Sequence, residues 1–178
     1  HQTYTSTELP YKRGQILTGD GTVLAYSERV YNLILDVKLM LSDGEYKEPT
    51  LSALCKYFNL NRSELEQKVS ENSQSRYQKL LSNLTTDQIA DFKNLMADST
   101  EGKNIKGVWF EDSYIRKYPF STLAADVIGF ASAANGGELG LENYYDEELS
   151  GTDGISYSYV GENLDVETQE KKAEDGYN

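Results

Sequence analysis

Alternating apolar and polar positions predict strands in the first part of the chain. Residues 13–17 are predicted to form a short strand, and residues 18–21 (Thr-Gly-Asp-Gly) a tight turn, because Asp-Gly readily adopts positive φ. The strand resumes at residues 23–25, which predicts a β-hairpin. Residues 29–36 are apolar and β-branched, which predicts another strand. The polar residues 1–12 are expected to be extended.

The middle of the chain changes to a helical period. Residues 48–58 carry apolar side chains at helical spacing, and residues 64–69 form a second predicted helix, capped by Asn61 or Ser63. A capping box opens a third helix, whose apolar face and first turn comprise Thr85, Gln88, Ile89, Phe92, Leu95 and Met96. The pattern at residues 77–84 fits either a strand or a helical turn.

Strand patterns return after the polar loop at residues 98–104. Residues 108–110 and 114–118 are predicted strands. Ser121 is positioned to cap a short buried helix over residues 122–129. The acidic tail from Gly161 is predicted to be an extended arm or a hairpin.

Glycines bracket a short amphipathic run at residues 137–154. Ser150 and Gly151 are typical of a helix end, and residues 152–154 of a turn into a strand at 155–160. We therefore predict a short helix with acidic side chains between its apolar positions, which are Leu141, Tyr144, Tyr145 and Leu149.

The net charge restricts the class of partner. The 178 residues include 17 Lys and Arg against 29 Asp and Glu, which gives a net charge of −12. Nucleic-acid binding and adsorption to anionic membranes both need a basic surface. We therefore expect no nucleic-acid partner and no direct adsorption to an anionic membrane. The length fits one domain, or one domain with a sizeable insertion.

Cysteine usage and the start of the chain say little about compartment. Cys55 is the only cysteine and lies in a predicted helix, so it is expected to be a buried apolar residue. No apolar run is long enough for a transmembrane helix. The chain begins at His1 without Met, and we expect it to be a fragment of a longer polypeptide.

Few residues offer catalytic or metal-binding chemistry. His1 is the only histidine, which argues against Ser-His or Cys-His nucleophiles and against a zinc site. The sequence contains neither Ser-x-x-Lys nor Lys-Thr-Gly, the motifs of serine acyltransferases. We expect no cofactor and no metal.

One pair of carboxylates is a candidate for acid/base chemistry. Glu142 and Asp146 fall four residues apart on one predicted helix face. A glycosidase could use such a pair in a cleft, but a solvated acidic face is the more common arrangement and is favoured here.

Three motifs in order resemble those of class B penicillin-binding proteins. Each is short, but their order, their spacing and the ending at residues 175–178, which resembles the segment before the transpeptidase domain, are together specific. The resemblance covers essentially the whole chain, with residues 45–104 matching only as a variable insertion. The motif residues are Arg13, Gly14, Gln15, Ile16 and Gly21 to Ala25; Arg116, Lys117, Tyr118, Pro119 and residues 124–129; and Gly140, Leu141, Glu142, Tyr145, Leu149, Gly151 and Gly154.

Two departures from the family pattern concern polar residues. Thr18 and Gly19 stand where the family usually has Asp-Arg, so any ion pair built on those residues is lost. Asp126 stands where His is common, which reverses the possible charge.

The resemblance implies an α+β fold, that of the non-catalytic pedestal or dimerisation domain. It implies one domain over residues 1–178, with a strand-rich core at 1–41 and 105–178, a helical insertion at 45–104, and a transpeptidase domain after 178. By charge and family position, Arg13 and Arg116 are the expected partners of Glu142. We also expect the N-terminal strands to join the sheet of residues 105–118.

The resemblance also implies a cellular setting. The parent protein would be anchored by an N-terminal transmembrane helix on the outer face of the cytoplasmic membrane. The partners would be its own C-terminal transpeptidase domain and membrane proteins of cell-wall synthesis, with homodimerisation open. Two alternatives remain: an acidic carbohydrate-processing enzyme using Glu142, and a free-standing extracellular binding domain.

Overall fold

The structure is a computed structural model that describes residues 4–120, 129, 131–132, 136–137, 140–160 and 166–178. The chain divides into two compact units. We call them the terminal unit, made of His1–Arg29 and Tyr114–Asn178, and the central unit, made of Val30–Ser113.

Helices and antiparallel strands are mixed along the chain, so the expected α+β fold is confirmed. Their bounds, in chain order, are β1 (Tyr4–Leu9), β2 (Ile16–Leu17), β3 (Val23–Leu35), α1 (Val37–Met40), α2 (Lys47–Phe58), α3 (Arg62–Glu71), β4 (Gln78–Leu84), α4 (Thr86–Ala97), β5 (Val108–Lys117), β6 (Ala131–Ser132), β7 (Gly136–Gly137), α5 (Gly140–Tyr144), α6 (Asp146–Leu149), β8 (Gly154–Val160) and β9 (Val166–Lys171).

An apolar core holds the central unit together. Phe92 on α4 is fully buried, and its ring centroid lies 5.2 Å from that of Phe58 and 6.0 Å from that of Phe110. The helical period on α2 and α4 turns one face of each helix inward, as predicted. The cluster of buried side chains comprises Leu33, Leu35, Val37, Met40, Leu51, Ala53, Leu54, Leu65, Val69, Phe92 and Ile105.

Side-chain caps fix where two helices of the central unit, α3 and α4, begin. The Asn61 side chain accepts hydrogen bonds from the N–H groups of Ser63 (2.9 Å) and Glu64 (3.2 Å), so Asn61 and not Ser63 caps α3. Thr85 and Gln88 form the predicted capping box at the start of α4. These bonds satisfy N–H groups that the first helical turn leaves without intrahelical partners.

The strands are longer than the hydrophobic pattern predicts. The two strands expected at residues 23–25 and 29–36 are one continuous strand, β3, and those at 108–110 and 114–118 are one strand, β5. Polar residues between the apolar runs do not interrupt a strand, because pairing uses the backbone. Residues 78–84 pair with β3 as β4, which resolves the helix-or-strand alternative. The expected joining of N-terminal strands to this region is confirmed, since β5 pairs with β3.

Antiparallel strands pair within the terminal unit. β2 pairs with the start of β3 in the predicted hairpin, and its turn contains Gly21 with φ +86°. A three-stranded antiparallel sheet has the order β1-β8-β9, and its strand β9 lies in the acidic C-terminal region that was predicted to be an extended arm or a hairpin. The predicted Ser121-capped helix, together with Asp126, lies outside the described residues. None of the helices within the described ranges is long and apolar enough to cross a membrane.

Candidate functional site

The buried carboxylate of Glu142, in the first turn of α5, is the central member of a polar cluster in the terminal unit. Its side chain has 0% solvent exposure. Oε2 accepts from Arg13 Nε at 2.8 Å, and Oε1 accepts from Arg116 Nε at 2.7 Å. The Tyr118 hydroxyl also donates to Oε1, at 3.2 Å. Both predicted ion pairs are therefore present.

Arg13 connects the carboxylate to both short helices. Its Nη1 donates to Asp146 Oδ1 at 2.6 Å and to Ser150 Oγ at 2.8 Å, and its Nη2 donates to the backbone oxygen of Glu142 at 2.7 Å. Burial alone would lower the pKa of Arg13, but its bonds and charge interactions with Glu142 and Asp146 raise that pKa above its ordinary value. Arg13 therefore remains charged inside the unit.

Arg116 approaches Glu142 from the end of β5. Its Nη1 donates to Ser27 Oγ at 3.1 Å, and Ser27 in turn donates to the backbone oxygen of Arg13 at 3.1 Å. Its Nη2 is buried and has no hydrogen-bond partner. Arg116 therefore links β3, β5 and residues 12–15, which we call the Arg13 segment, with one donor left unsatisfied.

Tyr118 completes the polar cluster. Its hydroxyl oxygen accepts from the N–H of Ala131 at 2.9 Å while the hydroxyl donates to Glu142. Burial, followed by the negative charge of Glu142, raises the pKa of Tyr118 above its ordinary value. The phenol therefore stays protonated and able to donate at neutral pH.

Asp146 lies at the edge of the cluster, where its side chain is 38% exposed. Burial raises its pKa, but the hydrogen bond from the Gly137 N–H (2.7 Å) and the guanidinium of Arg13 outweigh this and hold the pKa below its ordinary value. Two arginines thus face two carboxylates. Opposite charges thus compensate one another in this group, whereas removing one member leaves its partner buried and uncompensated.

Close backbone contacts bind the C-terminal residues 174–178, which we call the tail, to the Arg13 segment. Gly176 N donates to the backbone oxygen of Lys12 at 3.0 Å, Tyr177 N to that of Glu148 at 2.8 Å, and Gly14 N to that of Leu149 at 2.8 Å. A Cβ atom at Gly14 would overlap with the Tyr177 carbonyl, and one at Gly176 with the Leu149 carbonyl. Glycine is required here because the backbones cross so closely.

The predicted motif residues occupy different places. Arg13, Gly14, Arg116, Tyr118, Glu142 and Gly151 lie in the cluster or its backbone contacts. Gly140 begins α5 with φ +62°, Leu141 follows it half-buried, and Pro119 is exposed in the turn after β5. Hydropathy did not indicate that Ser27 and Ser150 take part in the cluster or that backbone bonds hold the tail, because small polar residues and glycines carry no hydropathy signal.

The apolar helix face predicted for residues 137–154 is wrong in two respects. The run forms two short helices, and Tyr144 and Tyr145 are 78% and 47% exposed. Glu142, expected on a solvated acidic face, is instead fully buried. The two arginines explain the inversion, because they offset the cost of removing a carboxylate from water.

The cluster offers structure and not reaction chemistry. Arg13 and Arg116 cover both oxygens of Glu142, so this carboxylate has no open side toward a substrate. The described part of the chain contains no group of three His, Cys, Asp or Glu side chains that could hold a metal ion.

Comparisons with known proteins agree with the motifs. The family model "Penicillin-binding Protein dimerisation domain" matches residues 8–178. Stage V sporulation protein D of Bacillus subtilis is 28% identical over 157 residues, which are 87% of this chain and 23% of that protein. Peptidoglycan D,D-transpeptidase FtsI of Buchnera aphidicola is 27% identical over 147 residues, 80% of this chain and 24% of that protein.

A solved structure has the same fold. In a complex between penicillin-binding protein PBP2 and MreC from Helicobacter pylori, one chain superposes with a TM-score of 0.62 at 17% identity, over 99% of this chain and 36% of that one. The chain spans about a quarter of the length of the two relatives compared above. The resemblance to class B penicillin-binding proteins is confirmed, and this chain belongs to the penicillin-binding protein dimerisation domain family.

Proposed function

We propose that this chain is the non-catalytic pedestal of a class B penicillin-binding protein, and that it positions a peptidoglycan D,D-transpeptidase for cell-wall synthesis. The observation that carries the proposal is the buried Arg13–Glu142–Arg116 cluster, which joins all three family motifs through side chains that have no access to a substrate. The name of the Buchnera relative, a D,D-transpeptidase, supports the parent activity.

The tail explains how a pedestal can position a neighbouring domain. In the proposed parent, residues 1–178 form the pedestal, residues 45–104 are its insertion, and the transpeptidase domain begins after residue 178. The tail is bonded to the Arg13 segment up to Asn178, whose side chain accepts from the N–H of Gln15 at 2.8 Å. The ion-pair cluster therefore sets the position from which the transpeptidase domain begins, and the motif residues act through structure.

The proposed setting is the outer face of the cytoplasmic membrane, with an N-terminal transmembrane anchor preceding this sequence. The proposed partners are membrane proteins of the cell-wall machinery, with homodimerisation as a further possibility that the family's name supports. The solved complex of PBP2 with MreC, one chain of which has this fold, supports the proposal of partners from the cell-wall machinery.

Labelling with a fluorescent penicillin tests the proposal. Covalent labelling requires an activated serine. We expect no label on the 178-residue chain and a label on the parent polypeptide, at a serine after residue 178. A labelled serine within this chain would overturn the proposal, as would a parent polypeptide that takes no label while a known penicillin-binding protein is labelled in the same assay.

The alternative of an acidic carbohydrate-processing enzyme is tested by glycan turnover. That hypothesis predicts turnover by the wild-type chain and its loss in Glu142→Gln. Because Glu142 is enclosed by arginines, we expect no turnover by either protein.

A further inference from the structure

Three exposed tyrosines of the terminal unit lie on or next to the two short helices, α5 and α6. Tyr144, Tyr145 and Tyr177 are 78%, 47% and 80% exposed. The rings of Tyr144 and Tyr145 lie edge to face with centroids 4.8 Å apart. Tyr177 is joined to the same helices by the bond from its N–H to the backbone oxygen of Glu148. The tail thus holds the backbone of a third exposed tyrosine against α6, next to Tyr144 and Tyr145 at the junction of α5 and α6.

The packing of Glu142 explains why these rings face water. The helical spacing of Tyr144 and Tyr145 would ordinarily turn them inward, but the interior position is taken by Glu142 and its arginines. Large aromatic side chains that remain exposed together are characteristic of interaction surfaces, where each ring can contribute both apolar area and a hydroxyl group.

The segments that carry these tyrosines are also rich in carboxylates. Glu147 and Glu148 are exposed on α6, and Glu174 and Asp175 are exposed in the tail. Lys171 and Lys172 precede the tail, and Lys12 is half-buried. We call the three tyrosines with Glu147 and Glu148 the tyrosine face. It combines aromatic rings with negative charge.

The negative charge of the tyrosine face restricts which partner can bind there. A second copy of this chain would bring like charges together at the same face, and an anionic membrane would be repelled. Arginine and lysine side chains complement both features, because they form ion pairs with carboxylates and stack over tyrosine rings. Resting on the proposed function, we propose that the tyrosine face docks a separate partner protein whose contact surface carries Arg and Lys side chains.

A peptide of alternating arginine and leucine is the probe for this chemistry. Calorimetry and backbone NMR at low ionic strength would measure its binding to the 178-residue chain. We expect shifts centred on residues 144–148 and 177. We expect the Kd to rise about tenfold in Tyr144→Ser/Tyr177→Ser and in Glu147→Lys/Glu148→Lys, since few residues dominate such interfaces.

A charge-matched control separates docking from general attraction to an acidic protein. Asp91 and Glu101 are exposed in the central unit. The variant Asp91→Lys/Glu101→Lys changes the net charge by the same amount as the reversal on the tyrosine face, and we expect its Kd to stay within about twofold of wild type. Equal weakening by both reversals, or unchanged binding in the tyrosine variant, would overturn the proposal.

Tyrosine nitration distinguishes a separate partner from the parent's own transpeptidase domain. If the face is open for docking, tetranitromethane modifies Tyr144 and Tyr177 as readily in the parent polypeptide as in this chain. Protection in the parent would mean that its own transpeptidase domain covers the face, and the proposal would fail. Penicillin labelling of the parent is independent of these readouts, so a failure of the proposed function would be recognised separately.

Discussion

The two units bury different kinds of side chain. All eleven members of the apolar core cluster lie in the central unit, whereas among the described residues of the terminal unit the buried apolar side chains are Ala25 and Leu149. The terminal unit instead buries Arg13 and Glu142. It has 7 Lys and Arg against 16 Asp and Glu, a net charge of −9, while the central unit has 10 against 13, a net charge of −3.

Because of this difference, we expect substitutions to lower the stability of the two units in different ways. An apolar core loses free energy in proportion to the atoms removed and the cavity left behind. A buried ion-pair cluster behaves as a set, because each missing charge leaves another desolvated without compensation. We therefore expect a single substitution in the ion-pair cluster to remove much of the stability of the terminal unit at once. Substitutions in the apolar core should lower the stability of the central unit step by step.

The largest effect is expected from Glu142→Gln. The substitution keeps the side-chain shape but leaves Arg13 and Arg116 without their shared counter-charge, which should cost about 3–5 kcal/mol. Hydrogen exchange should show lost amide protection in the terminal unit and retained protection in the α2 and α4 helices. Glu147→Gln, at an exposed position, is the control and should change stability by less than about 0.5 kcal/mol. Simultaneous loss of protection in both units would contradict the expectation that the two units lose stability separately.

Leu54→Ala should produce the complementary result. Leu54 is fully buried in the central core, and its truncation should cost about 3 kcal/mol of unfolding free energy through lost transfer energy and a cavity. Urea denaturation measures the cost, and hydrogen exchange should place it in the central unit. A larger effect on the terminal unit would contradict the expectation that this core stabilises the central unit.

Gly176→Ala tests the backbone crossing and should cost about 2 kcal/mol. The new Cβ would overlap with the Leu149 carbonyl, so the tail has to shift. Gly44→Ala is matched in chemistry, but its added methyl group meets no atom within 4 Å. Thermal unfolding should separate the two variants. Equal melting temperatures would show that the tail accommodates the change without strain.

Acidification should give the smallest effect. Because the folded pKa of Asp146 lies below its ordinary value, its carboxylate stabilises the fold above the unfolded pKa, about 3.9, and this contribution is lost as pH falls through the lower folded pKa. Asp146→Asn should cost below about 1 kcal/mol at neutral pH, since the side chain is partly exposed. The difference from wild type should shrink below about pH 4. A constant difference across this range would exclude Asp146 as its source.

The helices of the central unit are the elements that the sequence predicts best. The caps at Asn61 and Thr85 and the helical period of α2 and α4 depend on neighbours in the chain, so local rules predict them. The continuity of β3 and β5 could not be predicted, because it depends on pairing between segments far apart in sequence.

In the terminal unit, hydropathy gave the wrong orientation for the run at residues 137–154. Nothing in the helical pattern indicates that Glu142 is buried while Tyr144 is exposed. The arginines responsible lie 129 and 26 residues away in the chain. Only the family resemblance paired these residues in advance, and it did not predict the tail bonds or Ser27.

The glycine crossings have a consequence for mutational tolerance. Any amino-acid substitution at Gly14 or Gly176 introduces at least a methyl group. A saturation mutagenesis scan should therefore find nearly all substitutions there depleted. Such intolerance is commonly taken as the signature of an active site. In this domain it would mark two backbones in contact, and a sensitivity map should be interpreted with the crossing geometry before any chemistry is assigned.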